Sequence, residues 1–310
     1  MRPPAEGEIA FRDDPTGAIP SAELTAPLRQ FLRFPNGIIA LIPAGNPVDI
    51  PMFEPGKTGD AARIRNIPLA NPLTGEAIVF AGGLLAPTEG GQVLLLDART
   101  GAEIAAPFQP PLEAGRKYRW SRPAILGTDR FVIADDSGGV HLAVVKDAPA
   151  KHLDGAATSR LDDPVESPLA VLDNRVYAVD RRDSLVRLDL PGLTEKAQQP
   201  LGAKCVLGPF TIGEHVMLVT NDDLMHVIDS SGKMRSDKLP YGAPTGEPLV
   251  DGSHWLLAAA SGEVWRVDPA SGEELAKEQT GLALGSGLAL FDNRLLVAGH
   301  DGTLYLIEKP

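Results

Sequence analysis

Asp173-Asn174-Arg175-Val176-Tyr177-Ala178-Val179, then Asp180-Arg181-Arg182-Asp183, then Ser184-Leu185-Val186-Arg187-Leu188-Asp189 read as an apolar run, a polar corner and a second apolar run. Both runs have strand length and are rich in Val, Leu and Tyr, and the residues between them suit a tight turn. The segment is therefore a β-hairpin. Its opening recurs as Asp292-Asn293-Arg294-Leu295. Working outward, first runs of the same kind begin near Ile38, Ile78, Phe131, Val176, Val216, Trp255 and Leu295, at spacings of 40, 53, 45, 40, 39 and 40 residues.

The corners support this alignment. Asp135-Asp136-Ser137-Gly138, Asn221-Asp222-Asp223, Ser261-Gly262 and His300-Asp301-Gly302 follow the first runs. Second runs end in Asp-led turns, Asp97 to Gly101, Asp189 to Gly192, Asp229 to Gly232 and Asp268 to Gly272. Helical periodicity is weak throughout. A unit of about 40 residues with two hairpin-linked strands and short flanking strands makes a four-stranded blade, and a ring of such blades buries both faces of each. The sequence thus predicts an all-β chain. It reads as one seven-bladed β-propeller domain over 1–310, with antiparallel blades near 20–66, 67–108, 117–160, 164–202, 205–242, 245–280 and 284–310. The first blade, with Phe53-Glu54-Pro55-Gly56 at its turn and Pro43, Pro47, Pro51 and Pro55 along its second run, should be irregular, because proline lacks a ladder donor.

Composition agrees. Of 310 residues, 32 are Gly and 28 Pro, a turn-rich content, and 43% are hydrophobic, enough for a sizeable core. The net charge of −12 disfavours a nucleic-acid partner. Cys205 stands alone, so no internal disulfide or Cys-based zinc site forms. The start, Met1-Arg2-Pro3-Pro4-Ala5-Glu6-Gly7-Glu8, has no signal-peptide apolar run, and no stretch has the length of a membrane span.

The strings Gly91-Gln92-Val93-Leu94-Leu95-Leu96-Asp97-Ala98-Arg99-Thr100-Gly101 and Gly262-Glu263-Val264-Trp265-Arg266-Val267-Asp268-Pro269-Ala270-Ser271-Gly272 resemble the repeat of the pyrroloquinoline-quinone-like propellers. That superfamily holds quinoprotein dehydrogenases and cofactor-free relatives such as the propeller lipoprotein of the outer-membrane β-barrel assembly machine. The resemblance implies a propeller and a cell-envelope setting. The dehydrogenases place a tryptophan four residues after the motif glycine, where this chain has Ala105 and Ala276, and carry a vicinal disulfide that Cys205 alone cannot make. The chain is therefore similar to the cofactor-free members, and no cofactor is implied.

Other chemistry is sparse. His141, His152, His215, His226, His254 and His300 form no zinc-binding pair. His215 and His254 share one repeat position at a turn. There is no Gly-x-Ser-x-Gly elbow, and Gly285-Ser286-Gly287 lacks the lysine of a phosphate loop. Asp135-Asp136 and Asp222-Asp223 lack the alternating oxygen ligands of a calcium loop. No catalytic or metal-binding residue is assigned.

A monomeric scaffold that recognises a protein partner, or serves as one domain of a larger chain, is the first functional reading. An enzyme, or a small-molecule or glycan binder acting at the central channel, is the alternative. For the scaffold, the candidate surface is the rim that carries the corners between second and third strands and the crossings from blade to blade. The widest spacing places extra residues near Pro107 to Arg122, among them Arg116, Lys117, Tyr118, Arg119, Trp120 and Arg122. Arg, Tyr and Trp dominate interface hot spots. Arg181 and Arg182 stand at another corner of the same rim. The last unit supplies three strands before Pro310, and Glu6-Gly7-Glu8-Ile9-Ala10-Phe11 resembles the residues that open a fourth strand elsewhere. Residues 7–12 should therefore complete the last blade, Glu8 to Phe11 pairing with Leu304 to Ile307.

Overall fold

The computed structural model describes residues 8–10, 21–23, 28–55, 61–165, 167–291, 293–300 and 303–310, and every regular element among them is a β-strand. The chain divides into two compact units, Met1–Pro164 with Pro191–Leu193, and Val165–Leu190 with Thr194–Pro310.

In the first unit, β1 (Glu8–Ala10) pairs antiparallel with β2 (Ser21–Glu23). Then β3 (Leu28–Arg33), β4 (Ile39–Pro43), β5 (Asp49–Pro55) and β6 (Ala61–Pro68) form an antiparallel meander. A second meander is β7 (Ile78–Phe80), β8 (Gly83–Pro87), β9 (Val93–Leu96) and β10 (Glu103–Phe108), and a third is β11 (Ala124–Leu126), β12 (Arg130–Ala134), β13 (Gly139–Lys146) and β14 (His152–Arg160). The outer strands β10 and β14 meet in a parallel bridge, Ala106 opposite His152, which joins these two meanders into one eight-stranded sheet.

In the second unit, three four-stranded antiparallel sheets follow one another. They are β15 (Ala170–Leu172), β16 (Arg175–Val179), β17 (Ser184–Asp189) and β18 (Thr194–Pro200); β19 (Cys205–Ile212), β20 (His215–Thr220), β21 (Leu224–Ile228) and β22 (Met234–Lys238); and β23 (Leu249–Asp251), β24 (His254–Ala258), β25 (Glu263–Val267) and β26 (Glu274–Gln279). Then β27 (Ala289–Phe291), β28 (Arg294–Ala298) and β29 (Leu304–Ile307) form a three-stranded sheet. Within each meander we call the strands A to D in chain order.

Apolar slabs between consecutive meanders make the core. Ile78, Leu85 and Leu95 of the second meander pack with Phe131, Ile133 and Ala143 of the third. In the other unit, Tyr177 and Val179 pack with Val216 and Leu218, and Met217 and Val219 pack with Trp255 and Leu257. The B strands β8, β20 and β24 are thus covered on both faces, so their side chains are apolar in continuous runs rather than alternating. Phe131, Val132 and Ile133 are successive and all fully buried. Burying a Phe131-sized side chain contributes about 2–3 kcal/mol. D strands carry the opposite pattern, and β18 is exposed along its whole length.

Three sequence expectations need correction. Ile78, read as the start of a B strand, belongs to the A strand β7. A tight turn at Ala81 and Gly82, both at positive φ, sends the chain into β8, the true B strand. An apolar A strand directly before an apolar B strand merges with it in sequence, and this inflated the 53-residue spacing. The turn expected at Phe53 to Gly56, at the end of the second run of the first meander, lies further along, because Phe53, Glu54 and Pro55 still belong to β5, laddered with Arg63, Ala62 and Ala61 of β6. Only two residue pairs, Ile39 with Phe53 and Ala40 with Met52, join β4 to β5, and Pro51 lies within β5. Finally, Glu8–Ala10 pairs with Ser21–Glu23, and β29 pairs only with β28 among the described residues. A nearer strand satisfies the N-terminal ladder, so the closing strand predicted for the last blade is not the pairing found. Phe11, Gly56, Asp292, Asp301 and Gly302 lie outside the described residues.

Candidate partner-binding rim

Five of the B–C corners share a backbone device. The residue opening the corner forms a single antiparallel bridge with a residue of the preceding crossing: Thr88 with Leu73, Asp135 with Trp120, Asp180 with Val165, Ala259 with Pro244 and Gly299 with Leu284. At these five, corner and crossing are thereby tied to each other.

The crossing between β10 and β11, residues 109–123, is the longest between described meanders and carries most of the predicted site. Its two aromatics are core residues. Tyr118 and Trp120 are 3% and 5% exposed and stack with their ring centres 6.0 Å apart. Trp120 Nε1 donates to the Thr88 carbonyl at 3.0 Å, and the Tyr118 amide donates to the Glu89 carbonyl at 2.9 Å. The Tyr118 hydroxyl accepts from the Glu113 amide at 3.0 Å. These contacts pin the crossing onto the β8–β9 corner. Tyr118 and Trp120, which the sequence groups with the rim's candidate contact residues, are therefore buried and offer a partner almost no area of their own.

Arg116 is also largely inward. Its guanidinium lies 4.4 Å from the Tyr118 ring centre and pairs with Asp136 at 2.8 Å, Glu113 at 3.2 Å and Asp135 at 3.7 Å. Burial alone would lower its pKa, and the carboxylates, Asp136 foremost, outweigh that and raise it. The outward cations are Lys117 and Arg119, 77% and 76% exposed, with Arg122 less so. Lys117 reaches Glu89 at 3.1 Å, Arg119 reaches Asp136 at 3.6 Å and Arg122 reaches Glu76 at 3.5 Å. Exposed pairs of this kind contribute about 0–1 kcal/mol, so they exchange readily for other carboxylates. Leu112 is exposed on the same crossing.

Arg181 and Arg182 lie in the other compact unit, exposed at the β16–β17 corner. Asp180 builds that corner, its Oδ1 accepting from the Arg182 and Ser184 amides at 2.9 Å each and its Oδ2 from Gln198 at 2.7 Å. Each unit carries one of the two predicted groups.

The sequence reading missed a side-chain relay beside the rim. Asp135 Oδ2 lies 2.9 Å from His141 Nε2, and His141 Nδ1 lies 3.2 Å from Thr158 Oγ1. The relay borders a cleft of about 280 Å³ between the ends of β10 and β14, walled by Pro107, Phe108, Pro111 and Leu153. Carboxylate, imidazole and hydroxyl in a row can relay a proton. The same row recurs as Thr220, His226 and Ser236, at 3.1 and 2.8 Å, between the corresponding strands of another sheet. A hydroxyl in place of the carboxylate there keeps the geometry without the base, so the row works as a strap from corner to D strand. Its sequence signal is a histidine six residues after the corner residue, visible only once the corners are aligned. Among the described residues no three His, Cys, Asp or Glu side chains group as metal ligands, and no helix is long and apolar enough to cross a membrane.

No protein-family model matches the chain, and no curated protein matches it by sequence. Solved structures do match. BamB from Moraxella catarrhalis is similar over 99% of this chain and 92% of its own, at a TM-score of 0.66 and 17% identity. The computationally designed Ika8 protein matches over 98% and 91%, at 0.71 and 14%. BBS1N, crystallised in complex with ARL6DN, matches over 98% and 97%, at 0.63 and 15%. Identities this low show the fold alone. Together with the sheets described above, they define an all-β chain of β-propeller arrangement.

Proposed function

We propose that the chain is a non-catalytic scaffold that binds a protein partner through the B–C rim. In this reading it is a single seven-bladed domain of the cofactor-free pyrroloquinoline-quinone-like type, and the repeat strings ending at Gly101 and Gly272 support that membership. The observation that carries the function is the anchoring of residues 109–123. Buried Tyr118 and Trp120 fix the backbone, and Leu112, Lys117 and Arg119 project from it. A binding loop ordered before contact loses less entropy on association. Two cations beside an exposed leucine suit a partner surface with carboxylates around an apolar spot. The similar BBS1N chain was crystallised with a protein bound.

The test places a photo-crosslinking amino acid at position 119 and, separately, at position 196 on the exposed strand β18. A partner crosslinked from 119 and not from 196, whose capture falls about tenfold in a Lys117→Glu/Arg119→Glu variant, supports the rim. A partner crosslinked only from 196, or captured equally by the variant, overturns it.

A further inference from the structure

We propose that Arg175, Tyr177 and Arg187 form a binding site for a small oxyanion such as phosphate, on the second compact unit and at the strand ends away from the Asp180–Asp183 corner. The four side chains concerned form a square on one face of a hairpin. Arg175 on β16 faces Asp189 on β17, and Tyr177 faces Arg187. The turn that follows β21 covers them, with Arg175 Nη1 donating to the Ser230 carbonyl at 2.7 Å.

Their polar groups outnumber their partners. Tyr177 is 2% exposed, and its hydroxyl has no hydrogen-bond partner among the described residues. Neither has Arg187 Nε or Asp189 Oδ1, which stand 3.8 Å apart, beyond hydrogen-bond reach. Three of the six unpartnered buried polar atoms among the described residues thus fall within this square. Such groups are rare because each one left unsatisfied is destabilising.

The geometry also draws donors together. A Cβ built on Gly232 would lie 3.3 Å from Arg175 Nη1, 3.5 Å from Arg187 Nη1 and 3.7 Å from the Tyr177 hydroxyl. Two guanidinium groups and a phenol therefore converge on one side of the turn, and glycine, at φ 86°, leaves that side bare. Asp189 offsets only one of the two positive charges. An oxyanion supplies what is missing, acceptors for the unpaired donors and the balancing negative charge, in the fork geometry that guanidinium favours. Ser230, whose carbonyl Arg175 bonds, also lines a neighbouring cavity of about 550 Å³.

Inorganic phosphate is the probe, titrated into the whole chain at constant ionic strength set by chloride. Calorimetry should show saturable binding at one site, and the melting temperature should rise with phosphate concentration. Tyr177→Phe should melt no lower than the wild type in chloride, since it removes an unpaired hydroxyl, yet bind phosphate about tenfold more weakly. Arg187→Gln should weaken binding by at least about as much. No saturable binding by the wild type, as a site holding only water would give, overturns the proposal. So does an equal response of all three proteins, which would mark a general effect of phosphate on the protein surface.

Discussion

His141 Nε2 lies 2.9 Å from Asp135 Oδ2, and the contact ties strand β13 to the corner from which the rim is built. Asp135 is a node. It also accepts from the Ser137 amide at 2.7 Å and from the Ser137 hydroxyl, and its backbone bridges Trp120. Corner, crossing and C strand therefore meet at one buried aspartate.

That carboxylate makes stability depend on pH. Burial by itself would raise its pKa, but hydrogen bonds from His141 and Ser137 outweigh burial and bring it down to about 2. In the unfolded chain it titrates near the usual value of about 3.9. A carboxyl depressed by folding stabilises the fold while ionised, so the contribution is complete above about pH 4 and is lost as pH falls through about 2. It amounts to about 2 kcal/mol. Asp135→Asn should lower the melting temperature at pH 7, and the gap to wild type should close between about pH 4 and pH 2. A gap that stays constant down to pH 2 would mean that the carboxylate charge contributes nothing.

Burial decides the roles within the 109–123 crossing, and urea denaturation can separate them. Trp120→Ala should cost about 3–5 kcal/mol by opening the slab between the second and third meanders. Trp120→Phe should cost about 1 kcal/mol, because the Thr88 carbonyl keeps its bond from the Gly91 amide at 3.0 Å. Lys117→Glu and Arg119→Glu should each stay within about 0.5 kcal/mol of wild type. Charge reversals as damaging as Trp120→Ala would place the cations in the structural framework and remove them from the rim.

The same contrast explains what the sequence could reveal. B and C strands such as β20 and β9 were legible because neighbouring sheets cover both their faces, which demands unbroken apolar runs. D strands such as β18 carry no pattern because water covers them. The A strand Ile78–Phe80 was misread because three residues are too few to show a period and the next strand is equally apolar. At the rim, the mixture of Arg, Tyr and Trp marked the right crossing. It could not tell which side chains face inward, since rings that pack sheet against sheet have the composition of rings that pack protein against protein. The Asp135–His141 relay stayed hidden for another reason: its partners come from a corner and two strands, and its second copy replaces Asp with Thr220.

One repeat position predicts opposite outcomes in two sheets. Ser121 Oγ accepts from the Ala134 amide at 3.0 Å, as Ser167 does from Val179 and Ser286 from Ala298, each at 2.9 Å. Each serine thereby caps the last residue of its B strand. In the second meander the position is Thr74, whose amide donates to the Pro87 carbonyl at 2.9 Å. Pro87 has no N–H to return, and the buried Thr74 hydroxyl is left without a partner. Ser121→Ala strands a buried amide and should cost about 1–3 kcal/mol. Thr74→Val removes a hydroxyl that bonds nothing and keeps the shape, so it should be neutral or stabilise by up to about 1 kcal/mol. Melting curves of the two variants beside the wild type decide the matter. If Thr74→Val is as destabilising as Ser121→Ala, the Thr74 hydroxyl has an acceptor of its own, and the proline at the end of β8 is not what sets this sheet apart.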